Sequence, residues 1–177
     1  MPYRAPVEEY QFIFDHVVGF DQVTKTDRFA EASGDVATAI VAEAGRMCED
    51  VLSPLQRVGD LNPAHLDNGV VRTPPGFDEG YHAIAEGGWV SISADPEHGG
   101  MGLPMTLATA VNEMISAACL SLQLSPLMTQ GQIEALEHHA SEEIKALYLP
   151  KLVSGEWSGT MNLTEAQAGS DVGALRT

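Results

Sequence analysis

From Met105 to Leu124 the chain runs for twenty residues with one charged side chain, Glu113. A run this apolar has to leave water, and it has two destinations: a bilayer or the middle of a protein core. Leu107, Ala108, Val111, Met114, Ile115 and Ala118 recur at helical spacing and form a broad apolar face. Asn112, Glu113 and several Thr and Ser residues interrupt the run, which argues against a membrane span. The segment reads as the central helix of a bundle, and the rest of the chain must supply the helices that cover it.

Those helices can be found on both sides. Pro2 and Pro6 make the start extended. From Val7, Tyr10, Ile13, Phe14 and Val17 recur at helical spacing, with Glu8 and Glu9 in the first turn and Gly19 as the stop. A short helical piece is expected over Thr26 to Ala32. Ser33 is an N-cap candidate for the next helix, whose stripe is Ile40, Val41, Ala44, Met47, Cys48, Val51, Leu52 and Leu55. Pro54 should kink or end that helix. Residues 58–78 are punctuated by Gly, Asn and Pro and read as loop, with Val70 to Thr73 briefly extended. A helix from Phe77 to Glu86 is closed by Gly87 and Gly88.

Beyond the central run, Ser125-Pro126 reads as a helix start, because proline suits a first turn; that helix is expected to reach His139. Ser141 caps another helix, with Ile144, Leu147, Tyr148 and Leu152 on one face and Pro150 near its end. After Gly155, the residues from Trp157 to Leu163 suit a strand. The expected fold class is all-α: a helical domain over residues 1–156, then the first strand and turn of a truncated β-domain over 157–177.

Charge narrows the partners. A formal net charge of −16 gives phosphate nothing to bind, which argues against nucleic acid and against an anionic membrane surface. It fits a cytoplasmic protein, and the N-terminus has no apolar core followed by a cleavage site that would mark a secretory signal. Cys48 and Cys119, both in apolar helical runs, read as buried thiols and not as a disulfide framework. Glu134, His138, His139 and Glu142 are the only cluster resembling metal ligands, but it lacks a complete ligand set, so no metal site is expected. His98, in a loop beside Gly99, Gly100 and Gly102, reads as a polar surface residue.

The chemistry-bearing stretch is Met161 to Asp171. Gly169, which has no Cβ, and the hydroxyls of Thr164 and Ser170 let backbone and side-chain donors approach a polar ligand. The stretch has no lysine and lacks the glycine spacing of a Walker-type phosphate loop. On these residues alone it is equally a tight turn between two strands.

Leu163-Thr164-Glu165, followed after two residues by Ala168-Gly169-Ser170-Asp171, resembles the first signature of the acyl-CoA dehydrogenase family. Gly88-Trp89, Pro96 to Gly102, and Ser141 to Pro150 with Lys151, Leu152 and Gly155 follow that family's order and spacing. The resemblance covers roughly Ser33 to Thr177. Ala166 stands where proline is usual, and Asn162 where a small residue or cysteine is common, which marks a divergent branch. The N-terminal Tyr3 and Pro6, together with Gln167, resemble the larger bacterial members, which include enzymes acting on methylthio-substituted acyl-CoA thioesters.

That resemblance implies a flavoprotein oxidoreductase of fatty acid metabolism that uses FAD to dehydrogenate an acyl-CoA thioester between its α and β carbons. Met161, Leu163 and Thr164 would bond the flavin ring's edge. Gly169 and Ser170 would approach its phosphates, with Ser170 also meeting the CoA portion of the substrate. An electron-transferring flavoprotein would take the electrons, and the full-length protein would be a homo-oligomer. The family's base is a glutamate of a C-terminal helical bundle that these residues do not contain, so no catalytic residue is assigned. Glu165 is read as structural, and Glu97 and Glu113 have no better claim. The chain by itself is expected to be inactive. Two other readings stay open: a related flavin oxidase or monooxygenase, and a non-catalytic helical interaction module.

Overall fold

The computed structural model describes residues 3–177, so the expectation at Pro2 lies outside the described residues. Seven α-helices and one small hairpin make up its regular structure. α1 is Val7–His16, α2 Phe20–Val23, α3 Gly34–Met47 and α4 Ser53–Leu61. The hairpin strands are β1, His65–Asp67, and β2, Val70–Arg72. α5 is Phe77–Glu86, α6 Met105–His139 and α7 Glu142–Val153. The expected all-α class is what the structure has.

The uncharged run is the N-terminal half of α6, and it lies in the core. α6 touches α3, α4, α5 and α7, and Leu107, Ala108, Val111, Met114, Ile115 and Ala118 are all buried. α6 is the one helix among the described residues long and apolar enough to cross a membrane, and half of its most apolar window is buried inside the protein. The lone charge of the Met105–Leu124 run, Glu113, stays exposed at the helix edge beside Tyr10. Below it, Asn112, Gln123 and Gln130 form an amide cluster. Asn112 donates to Gln130 at 2.8 Å, Gln123 donates to Asn112 at 2.9 Å, and Gln130 reaches the Trp89 carbonyl at 3.0 Å. Buried amides need partners of this kind, so the cluster fixes how the two halves of α6 sit on each other.

Local signals set several boundaries. The Ser33 hydroxyl accepts from the Val36 N–H at 3.4 Å and caps α3. On that helix the stripe holds, with Val41, Ala44, Cys48 and Leu52 buried. α5 has the expected limits. Gly19 sits at φ 62° between α1 and α2, where the first helix was expected to stop. The Thr26–Ala32 piece is a single 3-10 turn, Asp27–Phe29.

Other expectations are corrected. Pro54 does not end a helix: it lies in the first turn of α4, directly after an interruption of the α-helical ladder. A π turn at Cys48–Leu52 precedes it, with the Ser53 N–H bonding the Cys48 carbonyl, so the hydrogen-bond register has already shifted before the residue without an N–H. Residues 58–78 are not simply loop. α4 runs to Leu61, and His65 pairs with Arg72 across the Asn68-Gly69 turn, both of whose residues have positive φ. The break in α6 is at Cys119 (φ −155°, ψ 83°) and not at Ser125, so Pro126 lies inside the second segment. On α1, Tyr10 and Phe14 are buried while Ile13 and Val17 are exposed. On α7, Leu149, Leu152 and Val153 are buried, while Ile144, Leu147 and Tyr148 face outward. Finally, Trp157 to Leu163 is not a strand: it is irregular, and the one bridge nearby joins Glu165 to Ala168. Strand-forming residues make a strand only when a ladder partner satisfies their backbone.

Candidate functional site

The segment after α7 is tied to the helices at its start and free beyond it. The Tyr81 hydroxyl, on α5, donates to the Gly155 carbonyl at 2.9 Å and lies 3.3 Å from the Ser158 hydroxyl. The Gly159 N–H donates to the hydroxyl of Thr129, a fully buried residue of α6, at 3.0 Å. That hydroxyl donates in turn to the Ser125 carbonyl at 3.0 Å. A Cβ on Gly159 would stand 2.2 Å from the Gln132 side-chain oxygen and 3.1 Å from the Thr129 Cα, so only glycine brings the chain this close to α6.

Beyond that tether the candidate residues come out into solvent. Met161, Leu163, Thr164, Gly169 and Ser170 are all exposed. Among the described residues, the backbone N–H groups of these five donate no hydrogen bond within the chain. In this turn Ala168 alone is buried, and Glu165 and Ala168 exchange backbone bonds at 3.0 and 3.1 Å. Asp171 closes a second small turn by accepting from the Gly173 N–H at 3.1 Å. Nothing in the chain lies within 4 Å of where a Cβ on Gly169 would be, so its openness faces outward.

Glu165 gathers the far end of the segment. Its carboxylate accepts from the Arg176 N–H at 3.2 Å and the Thr177 N–H at 3.1 Å, and also from the Thr177 hydroxyl and the Gln167 amide. The Thr177 hydroxyl first, and then the Gln167 amide, hold its pKa down at about 2. A carboxylate so engaged is a poor proton acceptor from a carbon acid, which agrees with the structural reading of Glu165.

Two apolar features lie beside the tether. On the outward side of α6, after the break, Leu120, Leu124, Leu127 and Met128 are exposed, and a Cβ on Gly131 would meet nothing. Spacings of three and four residues put these side chains on one stripe. A cavity of about 600 Å³, bordered by Gly59, Pro74, Phe77, Tyr81, Leu122 and Ser158, opens on the other side of the same helix turn.

The remaining sequence candidates sit elsewhere. His98 is half-buried in the glycine loop, which is held by the Asp95 N–H donating to Glu137 at 2.8 Å. Glu142 pairs with Lys145 at 2.9 Å, and among the described residues no three His, Cys, Asp or Glu side chains converge as a metal set would. Cys48 and Cys119 are free, buried thiols. Sequence reasoning missed Thr129 and Tyr81, which hold the start of the segment, and Gln132, whose side chain packs close over Gly159. Each looks ordinary in its own helix, and its role comes from a contact with residues far along the chain.

Comparison with known proteins agrees with this anatomy. The family model described as acyl-CoA dehydrogenase, N-terminal domain, matches residues 34–156. The chain is 43% identical over 176 residues to the 3-methylmercaptopropionyl-CoA dehydrogenase of Ruegeria pomeroyi, covering 99% of this chain and 30% of that protein. It is 31% identical to a butyryl-CoA dehydrogenase of Syntrophomonas wolfei and 32% identical to the broad-specificity linear acyl-CoA dehydrogenase FadE5 of Mycobacterium tuberculosis, with 99% of this chain and 29% of each relative covered. The chain thus spans about three tenths of the length of these curated relatives. With a helical domain built around α6 and the signature turn hung from it, the chain belongs to the acyl-CoA dehydrogenase family.

Proposed function

We propose that this chain carries the helical N-terminal domain, and the first flavin-facing turn, of an FAD-dependent acyl-CoA dehydrogenase. The observation that carries the reading is the set of exposed backbone N–H groups at Met161, Leu163, Thr164, Gly169 and Ser170, which have no partner among the described residues although the segment's start is fixed by Gly159 and Thr129. Exposed donors on an anchored backbone fit the edge of an electron-rich ring and the oxygens of a phosphate. FAD, when bound, supplies the hydride acceptor for α,β-dehydrogenation.

The chain's own part is to bind and orient. Met161, Leu163 and Thr164 offer backbone donors to the flavin's polar edge, where such donors favour negative charge. Gly169 leaves room for phosphate, and Ser170 adds a hydroxyl for phosphate or for the CoA portion of the thioester. The acyl chain is assigned to the stripe of Leu124, Leu127 and Met128, with the open ground at Gly131 beside it. Glu165 is not assigned as the base, because its carboxylate is held by backbone donors. The base is assigned to the part of the relatives' length that this chain does not span. The reading includes an electron-transferring flavoprotein as oxidant and a homo-oligomeric full-length protein.

The test is to purify the full-length protein, record the visible absorbance of bound flavin, and follow acyl-CoA-dependent dye reduction. Flavin with turnover supports the proposal. A protein with neither flavin nor turnover is the non-catalytic helical module instead.

A further inference from the structure

The geometry points to Glu165 as the positioning residue of the signature turn: its carboxylate clamps the two ends of the 165–177 segment and so holds Gly169 and Ser170 in place to meet FAD. The inference rests on reading this segment as a flavin-facing turn.

Ordinary packing does not hold the segment. Ala166, Gln167, Gly169, Ser170, Asp171, Val172 and Gly173 are all exposed, and of this turn only Ala168 is buried. With Ala168 buried and only Ala174 and Leu175 half-buried besides Glu165, the loop has little apolar contact with which to keep a single conformation against its own chain entropy. Polar closure takes the place of a core. Glu165 accepts two backbone N–H groups, Arg176 and Thr177, from eleven and twelve residues further on. The Thr177 hydroxyl and the Gln167 amide use the remaining acceptor capacity.

Hydrogen bonds to an ionised acceptor are the stronger kind, and several on one carboxylate fix its direction as well as its distance. Within the closed loop, the Glu165–Ala168 exchange and the Asp171–Gly173 turn set the local curvature. The loop therefore has one long-range closure and two short ones, and the long one depends on a single side chain. The depressed pKa of Glu165 follows from the same contacts and keeps the clamp charged throughout the neutral range.

The experiment compares wild type, Glu165→Gln and Glu165→Asp in the full-length protein. Glutamine keeps the size but presents an NH₂ where the clamp needs an acceptor; aspartate keeps the charge on a shorter arm. Amide exchange at Arg176 and Thr177 is expected to rise about tenfold or more in Glu165→Gln and to be partly restored in Glu165→Asp. Exchange at Ile115 and Leu152 in the helical core should not change. The FAD dissociation constant of the apoprotein should rise about tenfold in Glu165→Gln, again with partial rescue by aspartate. Unchanged exchange at Arg176 and Thr177 overturns the clamp. Faster exchange with unaltered FAD affinity overturns its positioning role. A wild type that takes up no FAD instead sinks the flavin reading, and with it the positioning role; the exchange data then decide the clamp alone.

Discussion

The backbone N–H of Gly159 donates to the hydroxyl of Thr129 across 3.0 Å, and this bond seats the exposed signature segment on the buried side of α6. Thr129→Val removes the acceptor and leaves a buried N–H without a partner, at a cost of about 1–3 kcal/mol. Thr129→Ser keeps the hydroxyl and should cost about 1 kcal/mol, for the lost methyl. Urea denaturation of the two variants checks this, and a Thr129→Val protein as stable as wild type would show that the hydrogen bond does not count.

Gly100 should be the least replaceable residue of the glycine loop. A Cβ there would lie 2.2 Å from the Ala94 carbonyl oxygen, and backbone cannot swing aside as a long side chain does. Gly100→Ala is expected to destabilise by about 3 kcal/mol, read as a lowered urea midpoint. Gly131→Ala is the control: its Cβ meets nothing, and the change should be within about 0.5 kcal/mol or favourable, because alanine is the better helix former.

The two halves of α6 should respond differently to truncation. Met114 is fully buried, so Met114→Ala should cost about 2–5 kcal/mol. Leu127 is 45% exposed, so Leu127→Ala should change stability by about 0.5 kcal/mol or less. If the proposed function holds, the same Leu127→Ala in the full-length protein should raise KM for an acyl-CoA while leaving the thermal midpoint in place. Steady-state kinetics alongside a melting curve separates the two effects.

Alkaline stability should report on Cys48. Burial, and then the neighbouring Glu49, push its thiol from 9.0 up to about 12. The folded state therefore favours the protonated form, and the unfolded state loses its proton first. This contribution is fully present below about pH 9 and is lost as pH rises from there to about 12. Tyr3, raised by burial from 10.0 to about 12, acts in the same direction over the upper part of that window. Urea midpoints should fall from pH 9 to pH 11, less steeply in Cys48→Ala. The native thiol should also be inert to alkylating reagents at pH 8, since the thiolate is the reactive form. Rapid labelling without unfolding would contradict this.

Features written in neighbouring residues were legible in the sequence. The Leu107–Ala118 face, the Ser33 cap and the limits of α5 rest on periodicity and punctuation within one or two turns. The order of the signature motifs pointed to the exposed residues from Met161 to Ser170. What was not legible depends on distant partners. Trp157 to Leu163 has strand-like residues but no ladder. Ile144, Leu147 and Tyr148 have helical spacing but no core facing them. The break at Cys119 has no glycine or proline to announce it, whereas the nearby Pro126, which looked like a boundary, sits inside the helix. The hairpin at His65–Arg72 was within reach, since Asn68-Gly69 between extended residues is its usual sign.

The break at Cys119 also separates two inheritances within one helix. Each residue of α-helix turns the chain by about 100°. Inserting or deleting one between Cys119 and Thr129 would therefore swing the outward leucines to a new bearing and carry Thr129 out from under Gly159. The upstream half, from Leu107 to Ala118, would keep its place in the core. The same insertion or deletion would also pull the buried Leu122, Gln123 and Ile133 out of register, so only point changes at the outward positions Leu120, Leu124, Leu127 and Met128 can alter what this surface meets while the buried scaffold stays as it is.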